Sequence, residues 1–594
     1  MISRRTVLGA VPLLWAGHVL AAGPAAAAPT IPPLALDQAT VDGLRRAAVE
    51  DKDVRQAVDR LRKRAQETLT KKPIVREFEP GRNVLLPSSR LMLERALVLA
   101  LIARLDDDPA VAARLVVDLE TVAGWEDWGP VQFLDIAEMA TAVALSIGWL
   151  GPMMPVATRD MLVAALVAKA LEPGLAAHRA GVYWTKATHN WNLVCNGGLI
   201  VASLVVRDRH AELAEAVVDA SIASSRSGFS SYAPDGGYPE GAGYWAYGTR
   251  YSTLMVWALE SVGRGQGIAD SPGFGVTGDY LLHVRGPTGL AFNYGDGPED
   301  VGTGGLAWLG RRFNRPVDTA RALATRLRAW QALELVAGGR GHFEPAKYDL
   351  PLARHFQAID VACFRSSWTD PAAWFVAAKG GDNRVNHADL DLGSFVLDAL
   401  GQRWVVELGP DDYALPGYFG TDKRWTYYRK ATRGQNTLAF GGENQQTDAR
   451  APLTMTGDNA ARIDLSAAWG RADGSIVRTI TLLPDQAVLV DDRIGAAEGR
   501  PATWTVHSRA AITVDGNKAL LVQEGRRLRA EILTPGAIFA VEPATQAAPE
   551  DTNAGILRLT ATLPAADRAR RIAVLFHMDG AMPAIDRQGF TIPG

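Results

Sequence analysis

A glycine-rich stretch at residues 234–248, PDGGYPEGAGYWAYG, combines several tyrosines with acidic side chains. Glycine inside a helix costs about 1 kcal/mol, so the start of this stretch is predicted to place side chains instead of forming a long helix. Tyr244, Tyr247 and Tyr251 then follow at helical spacing and are expected on one helix face. A tyrosine hydroxyl can act as a general acid or base where a neighbouring charge lowers its pKa from about 10. The alternative is an aromatic stripe packed in a helical core.

A second stretch, THNWNLVCNGGL at residues 188–199, crowds polar side chains at a predicted helix start. His189, Asn190 and Asn192 are poor residues for a helix interior but good hydrogen-bond donors. They are therefore interpreted either as donors directed at a carboxylate or as helix caps.

A third stretch, at residues 386–413, begins NHADLDLGSF and continues as an apolar, strand-like segment. His387, Asp389 and Asp391 alternate along the chain, so they are predicted to share one face of a strand. A histidine followed by two carboxylates at this spacing favours an oriented base or a metal site over a purely structural histidine.

The elements around these stretches change character once along the chain. Helical periodicity starts at Asp37 and continues to Val336, with a last long helix predicted over Val317–Val336. Beyond Gly338 apolar and polar residues alternate with a period of two, which is typical of strands, and a hairpin is predicted across Asp515 and Gly516. The fold class predicted is multidomain, α then β, with an N-terminal toroid or solenoid of helical hairpins and a C-terminal antiparallel β-sandwich.

Composition limits the classes of function. The chain has 594 residues, too many for one ordinary core, and its 47% hydrophobic and 21% charged residues are typical of a globular protein. A net charge of −3 gives no basic field, which argues against nucleic acid as a partner. The two cysteines, Cys195 and Cys363, fall in different predicted domains, so no disulfide framework is expected.

The N-terminus reads as an export signal over residues 1–28. Arg4 and Arg5 precede an apolar run that ends in an A-x-A pattern at residues 26–28, which is typical of a twin-arginine signal, with a general secretory signal as the alternative. No later segment has about 20 uninterrupted apolar residues, so no membrane partner is predicted. The expected location is periplasmic or secreted.

Together, HNWNLVCNGG, DGGYPEGAGYWAYG and NHADLDLGSF followed by GQRWVVELG resemble the motifs of the heparinase II/III-like polysaccharide lyases. This superfamily includes heparin, chondroitin, hyaluronan and oligoalginate lyases, and the resemblance covers most of the chain. It implies an (α/α) toroid over residues 29–340 and a heparinase II/III-like β-sandwich over residues 341–594. It also implies cleavage of an anionic, uronic-acid-containing polysaccharide by β-elimination, which leaves an unsaturated uronate end.

The resemblance also implies roles for individual residues. Tyr244 matches the catalytic acid or base, His189 and Asn190 match the residues that neutralise the uronate carboxylate, and His387 matches the histidine of the sandwich domain. Further residues near the motifs are predicted to bind substrate, the last of them from a loose alignment: Asn192, Glu240, Trp191, Tyr247, Arg250, Arg384 and Tyr418.

The sequence departs from the family at the metal position. Many relatives hold zinc with two histidines and an aspartate, whereas the matching residues here are Asp389, Glu407 and Gln435. These are oxygen ligands, so a structural divalent cation, if bound, is predicted to be Ca²⁺, Mg²⁺ or Mn²⁺ and not zinc. A site without metal, held by hydrogen bonds, is the alternative.

Several alternatives to a glycosaminoglycan lyase stay open from the sequence. One is an alginate or oligoalginate lyase of the same superfamily. Another is an (α/α)-barrel glycoside hydrolase, which would need two carboxylates, Glu240 with Asp235 or Asp296. A third is a glycan-binding protein without activity. The polymer and the oligomeric state are not fixed by these patterns.

Overall fold

The computed structural model describes residue 34 and residues 36–129, 131–265, 267–324, 328–420, 422–581 and 583–586. The signal predicted over residues 1–28 lies outside this part of the chain. Helices come first and strands second: the last helix ends at Val336 and the first strand begins at Ala353.

The α-helices of the described residues fall before residue 337. They are α1 (Gln38–Glu50), α2 (Lys52–Leu69), α3 (Leu86–Asp106), α4 (Pro109–Ala123), α5 (Leu134–Leu150), α6 (Val156–Leu166), α7 (Glu172–Ala180), α8 (Asn190–Val206), α9 (Ala211–Phe229), α10 (Gly241–Ser261), α11 (Gly278–Val284), α12 (Leu306–Arg312), α13 (Pro316–Arg321) and α14 (Gln331–Val336).

These helices pack in two layers. The inner layer places α3, α5, α8 and α10 side by side, and α4, α6 and α9 lie against it on the outside. Helix α5 belongs to the inner layer because it has no polar face to present to water. Nearly every residue from Leu134 to Leu150 is buried. Helix α2 is amphipathic, with buried positions such as Val54, Val58 and Leu61 on one side.

The long helix predicted over Val317–Val336 is wrong. Helix α13 ends at Arg321, and α14 begins only at Gln331. The backbone after α13 pairs with a different segment, because Leu323 N donates to Arg340 O at 3.1 Å and Arg340 N donates to Thr319 O at 2.9 Å.

The strands occupy the rest of the described chain. They are β1 (Ala353–Phe356), β2 (Val361–Arg365), β3 (Phe375–Lys379), β4 (Gly381–Asp382), β5 (Phe395–Ala399), β6 (Gln402–Val405), β7 (Leu438–Phe440), β8 (Arg450–Ala451), β9 (Leu453–Met455), β10 (Ala460–Asp464), β11 (Ile476–Leu483), β12 (Ala487–Ile494), β13 (Ala502–Ser508), β14 (Ala511–Asp515), β15 (Lys518–Gln523), β16 (Arg526–Ile532), β17 (Phe539–Pro543), β18 (Leu557–Leu563) and β19 (Arg570–Met578).

These strands form antiparallel sheets. One sheet has the order β1-β2-β3-β5-β6, a larger one runs β14-β15-β16-β19-β12-β11-β10-β9, and a third runs β17-β18-β13-β7. The predicted hairpin is present, with Asp515 opposite Lys518 across the turn. The apolar faces of the three sheets share one core, which includes Phe395, Trp504 and Phe576.

The five-stranded sheet joins the two domains because both of its faces are buried. Along β2, Ala362 and Phe364 face the sandwich core, whereas Val361 and Cys363 face a core shared with the helical domain. Alternation along a strand sends successive side chains to opposite faces, so one strand serves both cores. Cys195 and Cys363 are both buried and free.

Two helical stretches of the described residues are long and apolar enough to cross a membrane by length and composition alone, Leu134–Met153 and Val156–Ala180. In the first, 89% of the apolar window is buried inside the fold, as expected of a core helix. In the second, 39% is buried, and the stretch carries charged residues such as Lys169 and Glu172. Neither stretch is therefore more than weak evidence for a membrane span.

The close contact between α5 and α8 generates a test of the helical core. A Cβ on Gly198 would lie 2.5 Å from Ala137 O, so Gly198→Ala is expected to push the two backbones apart and to lower the free energy of unfolding by about 1–3 kcal/mol. Gly43→Ala in α1 is the matched control, because its Cβ would meet nothing closer than 4.0 Å. The control should be neutral or stabilising by up to about 1 kcal/mol. Thermal unfolding of both variants is the measurement, and equal midpoints would contradict the packing argument.

Candidate active site

A cleft of about 550 Å³ lies where the two domains meet. Helices and loops of the first domain form one wall, and turns of the sandwich domain form the other. Most of the lining is aromatic or apolar, with a few polar groups. The lining residues used below are Glu79, Arg82, Arg90, Tyr183, Asn190, Trp191, Tyr244, Tyr247, Asn386, His387, Tyr413 and Phe419.

Tyr244 and His387, which the sequence places 143 positions apart, meet in this cleft. Tyr244 lies in the first turn of α10, and its ring stacks on the imidazole with 4.0 Å between centroids and 13° between planes. The Tyr244 hydroxyl is hydrogen-bonded to the hydroxyl of Tyr413. Burial, together with the neighbouring Tyr413 and Asp296, raises the pKa of Tyr244 well above 10, so the side chain is a neutral phenol at physiological pH.

His387 lies in a turn and not on a strand, which corrects the prediction that it shares a strand face with Asp389 and Asp391. Its φ is +61°, a left-handed conformation that is uncommon for a residue with a side chain. Asp296 N donates to His387 O at 3.1 Å, and Gly295 permits this approach because a Cβ there would lie 2.6 Å from the same oxygen. Such a local conformation is typical of functional sites.

The carboxylate of Asp296 orients the imidazole of His387. His387 Nδ1 lies 2.9 Å from Asp296 Oδ2, so a proton on Nδ1 is donated to the carboxylate and Nε2 is the nitrogen able to accept a proton. Asp296 also accepts from Tyr418 Oη at 2.5 Å, Lys430 Nζ at 2.8 Å and Arg424 Nη2 at 3.1 Å. Burial opposes its charge, but Lys430, His387 and Arg424 hold the pKa of Asp296 well below its usual range.

Glu240 fixes the start of α8 against the sandwich domain. Its carboxylate accepts from Asn190 N at 2.9 Å, from Asn190 Nδ2 at 2.7 Å and from Asn386 Nδ2 at 2.8 Å. Glu240 is buried, so these bonds form in a setting of low dielectric, where each is strong. Asn190 Oδ1 is buried and has no partner among the described residues. Glu240, predicted to bind substrate, is thus placed as a residue that positions Asn190.

His189 lies just before α8, where its ring contacts Tyr183. The Tyr183 hydroxyl and His189 Nε2 are 2.5 Å apart, and Nδ1 is buried without a hydrogen-bond partner in the described part of the chain. Burial lowers the pKa of His189 from 6.5, more strongly than Glu240 raises it. The imidazole is therefore neutral at pH 7 and can offer one N–H.

The remaining predicted residues divide between cleft and interior. Trp191 and Tyr247 line the cleft, and Tyr247 Oη donates to Glu138 Oε1 at 2.5 Å. Arg250 is buried over Trp330 at 3.7 Å and lines a neighbouring cavity instead.

Besides Glu240 and Arg250, three more residues predicted to bind substrate lie outside the cleft lining, which corrects those predictions. Asn192 is fully buried and donates to Trp184 O and Ser224 O, both at 3.1 Å. Arg384 is exposed and pairs with Asp382 at 2.5 Å. Tyr418 is 1% exposed and lies behind the cleft, bound to Asp296.

Sequence reasoning missed Tyr413, whose hydroxyl is bonded to that of Tyr244 in the cleft. Its position four residues after the GQRWVVELG segment is the available signal, whereas the loose alignment points to Tyr418. Arg82 and Arg90 were also missed, because they precede every motif by about a hundred residues or more and carry no local signature.

The residues predicted to hold a metal do not fit one. Lys430 Nζ lies 2.8 Å from Asp389 Oδ1 and 3.0 Å from Oδ2. The ammonium group of Lys430 therefore already contacts both oxygens of the carboxylate that a metal ion would need as a ligand. Against the effect of burial, Asp296 and Asp389 raise the pKa of Lys430, which keeps it charged. Arg424 Nη2 adds a second cation 3.3 Å from Asp389 Oδ1.

The other two predicted ligands are no better suited. Burial and the nearby Asp389 raise the pKa of Glu407 to about 8, which favours a neutral carboxyl group, and Gln435 Nε2 is bound to Arg429 O at 2.7 Å. No group of three or more His, Cys, Asp or Glu side chains suited to a metal ion is found among the described residues. Adding a divalent cation to Lys430 and Arg424 would therefore create uncompensated positive charge in a buried place.

This charge arrangement generates a test of the metal prediction. Protein purified without chelator is expected to carry no stoichiometric divalent metal, and a chelator should leave its thermal unfolding midpoint unchanged. Elemental analysis and calorimetry are the measurements. Stoichiometric metal that disappears in an Asp389→Asn variant would contradict the assignment of Lys430 as the counter-ion.

Comparison with known proteins agrees with this architecture. Residues 351–585 match the family model described as heparinase II/III-like, C-terminal. A structure of heparinase III matches with a TM-score of 0.58 at 12% identity, covering 85% of this chain and 80% of that one. A heparan sulfate lyase mutant from Pedobacter heparinus matches with a TM-score of 0.56 at 15% identity, covering 88% and 84%.

A chondroitin AC lyase from Streptomyces coelicolor, in complex with chondroitin sulphate, matches with a TM-score of 0.54 at 14% identity, covering 92% of this chain and 84% of that one. No curated protein sequence matches the chain. The fold is thus that of lyases with a helical toroid and a β-sandwich, as predicted. The match of residues 351–585 to the heparinase II/III-like C-terminal family model confirms the predicted resemblance.

Proposed function

We propose that the protein is a polysaccharide lyase that cleaves a uronic-acid-containing polysaccharide by β-elimination and leaves an unsaturated uronate end. The observation that carries this proposal is the stacked pair of Tyr244 and His387, with Asp296 behind the imidazole, in a cleft between the two domains. The relatives named above as heparan sulfate and chondroitin lyases support the same enzyme class.

The proposed reaction removes the proton at C5 of a uronic acid and expels the sugar at C4. His387 Nε2 takes the C5 proton, the C4–O bond breaks as the C4–C5 double bond forms, and Tyr244 gives its proton to the leaving oxygen. The raised pKa of Tyr244 suits the role of proton donor, because the hydroxyl stays protonated until the leaving oxygen needs it. Tyr413, bonded to that hydroxyl, holds it in place.

The C5 proton is weakly acidic until the adjacent carboxylate is neutralised, because the elimination builds a dianion. We assign this task to Asn190 and His189. Asn190 Nδ2 uses one proton on Glu240 and keeps the second for a ligand, and His189 offers Nδ1–H when Tyr183 donates to its Nε2. Donors held in place before the reaction can contribute about 3–4 kcal/mol each to such a step.

A glycoside hydrolase is less well supported, because the carboxylates it would need are already committed. Glu240 accepts three hydrogen bonds, and Asp235 accepts from Gln357 N at 2.6 Å. The pKa of Asp296 is lowered, whereas a general acid needs a raised one. A glycan-binding protein would have no need of the histidine and tyrosine pair.

We propose a glycosaminoglycan such as heparan sulfate, hyaluronan or chondroitin as the polymer, with alginate as the second candidate. The names of the structural relatives favour the first group. Arg82 and Arg90 are the cleft cations, paired with Glu79 at 3.0 Å and Glu138 at 3.2 Å, and each is placed to meet an anionic sugar chain.

The proposed function predicts a specific loss in Tyr244→Phe. Removing the hydroxyl deletes the proton donor but keeps the stacked ring, so turnover should fall by about 10²-fold or more with the fold intact. The assay is ultraviolet absorbance of the unsaturated product during incubation with a panel of uronate polymers. His387→Gln should lose activity to a similar degree.

Tyr232→Phe is the matched control, since Tyr232 is fully buried and its hydroxyl contacts Thr249 and Ser252 away from the cleft. This variant should lose at most about 1 kcal/mol of stability and keep its turnover. An equal loss of turnover in both tyrosine variants, or a reducing end without ultraviolet absorbance, would refute the assignment.

We further propose export with removal of the signal near Ala28, which rests on the sequence pattern at Arg4 and Arg5 alone. Expression in a bacterium with a twin-arginine system should yield periplasmic protein. N-terminal analysis of that protein should begin after residue 28. A mature chain that retains Arg4 and Arg5 contradicts the prediction.

A further inference from the structure

A second cavity, of about 630 Å³, lies between the domains away from the stacked pair. The segment that follows α11 lines one side, and the end of β2 with Trp368 lines the other. Asp300 lines this cavity and also an intermediate one, which in turn shares Arg90 and Tyr247 with the active-site cleft. The three cavities therefore adjoin one another along the domain boundary.

Arginine side chains dominate the polar lining of the second cavity. Arg321 ends α13 and is 6% exposed, and Arg365 ends β2 and is 5% exposed. Arg321 Nη1 and Arg285 Nε are buried without a hydrogen-bond partner in the described part of the chain. The polar contacts that the three arginines do make are to backbone carbonyls, such as Arg365 Nη2 to Arg285 O at 2.9 Å.

No ion pair joins Arg285, Arg321 or Arg365 to a carboxylate among the residues that the structure describes. The acidic groups that act on Arg321, Asp318 and Asp279, are both bound to Arg315, which lies 2.7 Å from Asp318 Oδ2. Burial, together with the other cations, lowers the pKa of Arg321 to about 9, and burial lowers that of Arg365 to about 10. Both departures agree with a shortage of negative charge at this place.

Arg321 and Arg365 are buried and Arg285 is partly buried, and Asp300, which lines the cavity, opposes the lowering of the pKa of Arg285 less strongly than burial causes it. Guanidinium groups placed in this way without an ion pair are costly, because they lose water and gain no paired counter-charge. A planar guanidinium presents paired N–H groups that match the oxygens of a sulfate, phosphate or carboxylate. Arg321 Nη1 and Arg285 Nε are unpartnered donors of residues that line the cavity, and such an oxyanion would satisfy them.

We propose that this cavity is an oxyanion-binding site formed by Arg285, Arg321 and Arg365. Its ligand is a sulfate or carboxylate group. Because the cavities adjoin the active-site cleft, we assign this anionic group to the polysaccharide itself, at a sugar several units away from the cleavage point. That assignment of the source rests on the proposed function, whereas binding of the oxyanion itself does not.

The test is calorimetric titration of sodium sulfate at low millimolar concentration, against sodium chloride of equal ionic strength. Wild-type protein is expected to bind sulfate, and Arg321→Met should lose at least about tenfold in affinity while unfolding at the same temperature or higher, because a buried unpaired charge is removed. Arg285→Met, at a more exposed position, should show the same loss of affinity and decides the question if Arg321→Met fails to fold.

Arg311→Met is the control, since it removes one positive charge from an arginine that does not line the cavity and donates to Ala337 O. It should bind sulfate as wild type does. Absence of sulfate binding in wild type, or equal binding in Arg321→Met and Arg311→Met, would overturn the proposal.

A singly sulfated disaccharide and a glucuronate oligosaccharide distinguish the sources. Tighter binding of either sugar than of inorganic sulfate, lost in Arg321→Met, supports a subsite for the polysaccharide. Equal binding of inorganic sulfate supports the oxyanion site and removes the claim that the anion is carried on the polymer. Either result is independent of whether Tyr244→Phe affects turnover.

Discussion

The carboxylate of Asp296 joins the two domains and also orients His387, the proposed proton acceptor. It belongs to the loop after α11 of the helical domain, and the groups it binds, His387, Lys430, Arg424 and Tyr418, all belong to the sandwich domain. A carboxylate buried alone would be strongly destabilising, so the two domains can hold this arrangement only when both are in place. The orientation of the imidazole is therefore a consequence of domain docking, and a change in docking would move the proton-accepting nitrogen.

A second carboxylate of the helical domain, that of Glu240, joins the two domains in the same way. Glu240 binds Asn190 from its own domain and Asn386 from the other, next to His387 in the chain. The Asn190 amide, which is proposed to neutralise the substrate carboxylate, and the His387 imidazole are thus positioned relative to each other through one carboxylate. Side chains held by buried, fully bonded partners lose little further freedom on binding a substrate, which favours electrostatic stabilisation of a developing charge.

The sequence was sufficient for the fold class, because periodicity carries that information, and its local motifs singled out Tyr244 and His387, which the structure brings together in the cleft. It failed where the decisive contact is distant. His387 was expected on a strand, since alternating polar residues mimic strand periodicity, but the backbone bond to Asp296 holds it in a left-handed turn. Lys430 was not recognised as the partner of Asp389 because 41 residues separate them and neither lies in a motif that predicts the pairing. Spacing in the chain therefore identified clusters of polar side chains but not the distant groups that these side chains contact.

The buried cations at the domain boundary fall into two groups, one with ion-pair partners and one without. Around Asp296 and Asp389, the charges of Lys430 and Arg424 are met by two carboxylates within hydrogen-bond distance. Around Arg321, the available carboxylates are bound to Arg315, and the guanidinium is left with a carbonyl contact at 3.4 Å. Burial removes water from the cations at both places. Only the cations around Asp296 and Asp389 form ion pairs with carboxylates within the described chain. Because folded proteins tolerate such a deficit mainly where function needs it, the uncompensated cluster supports the proposed oxyanion site more than a purely structural role.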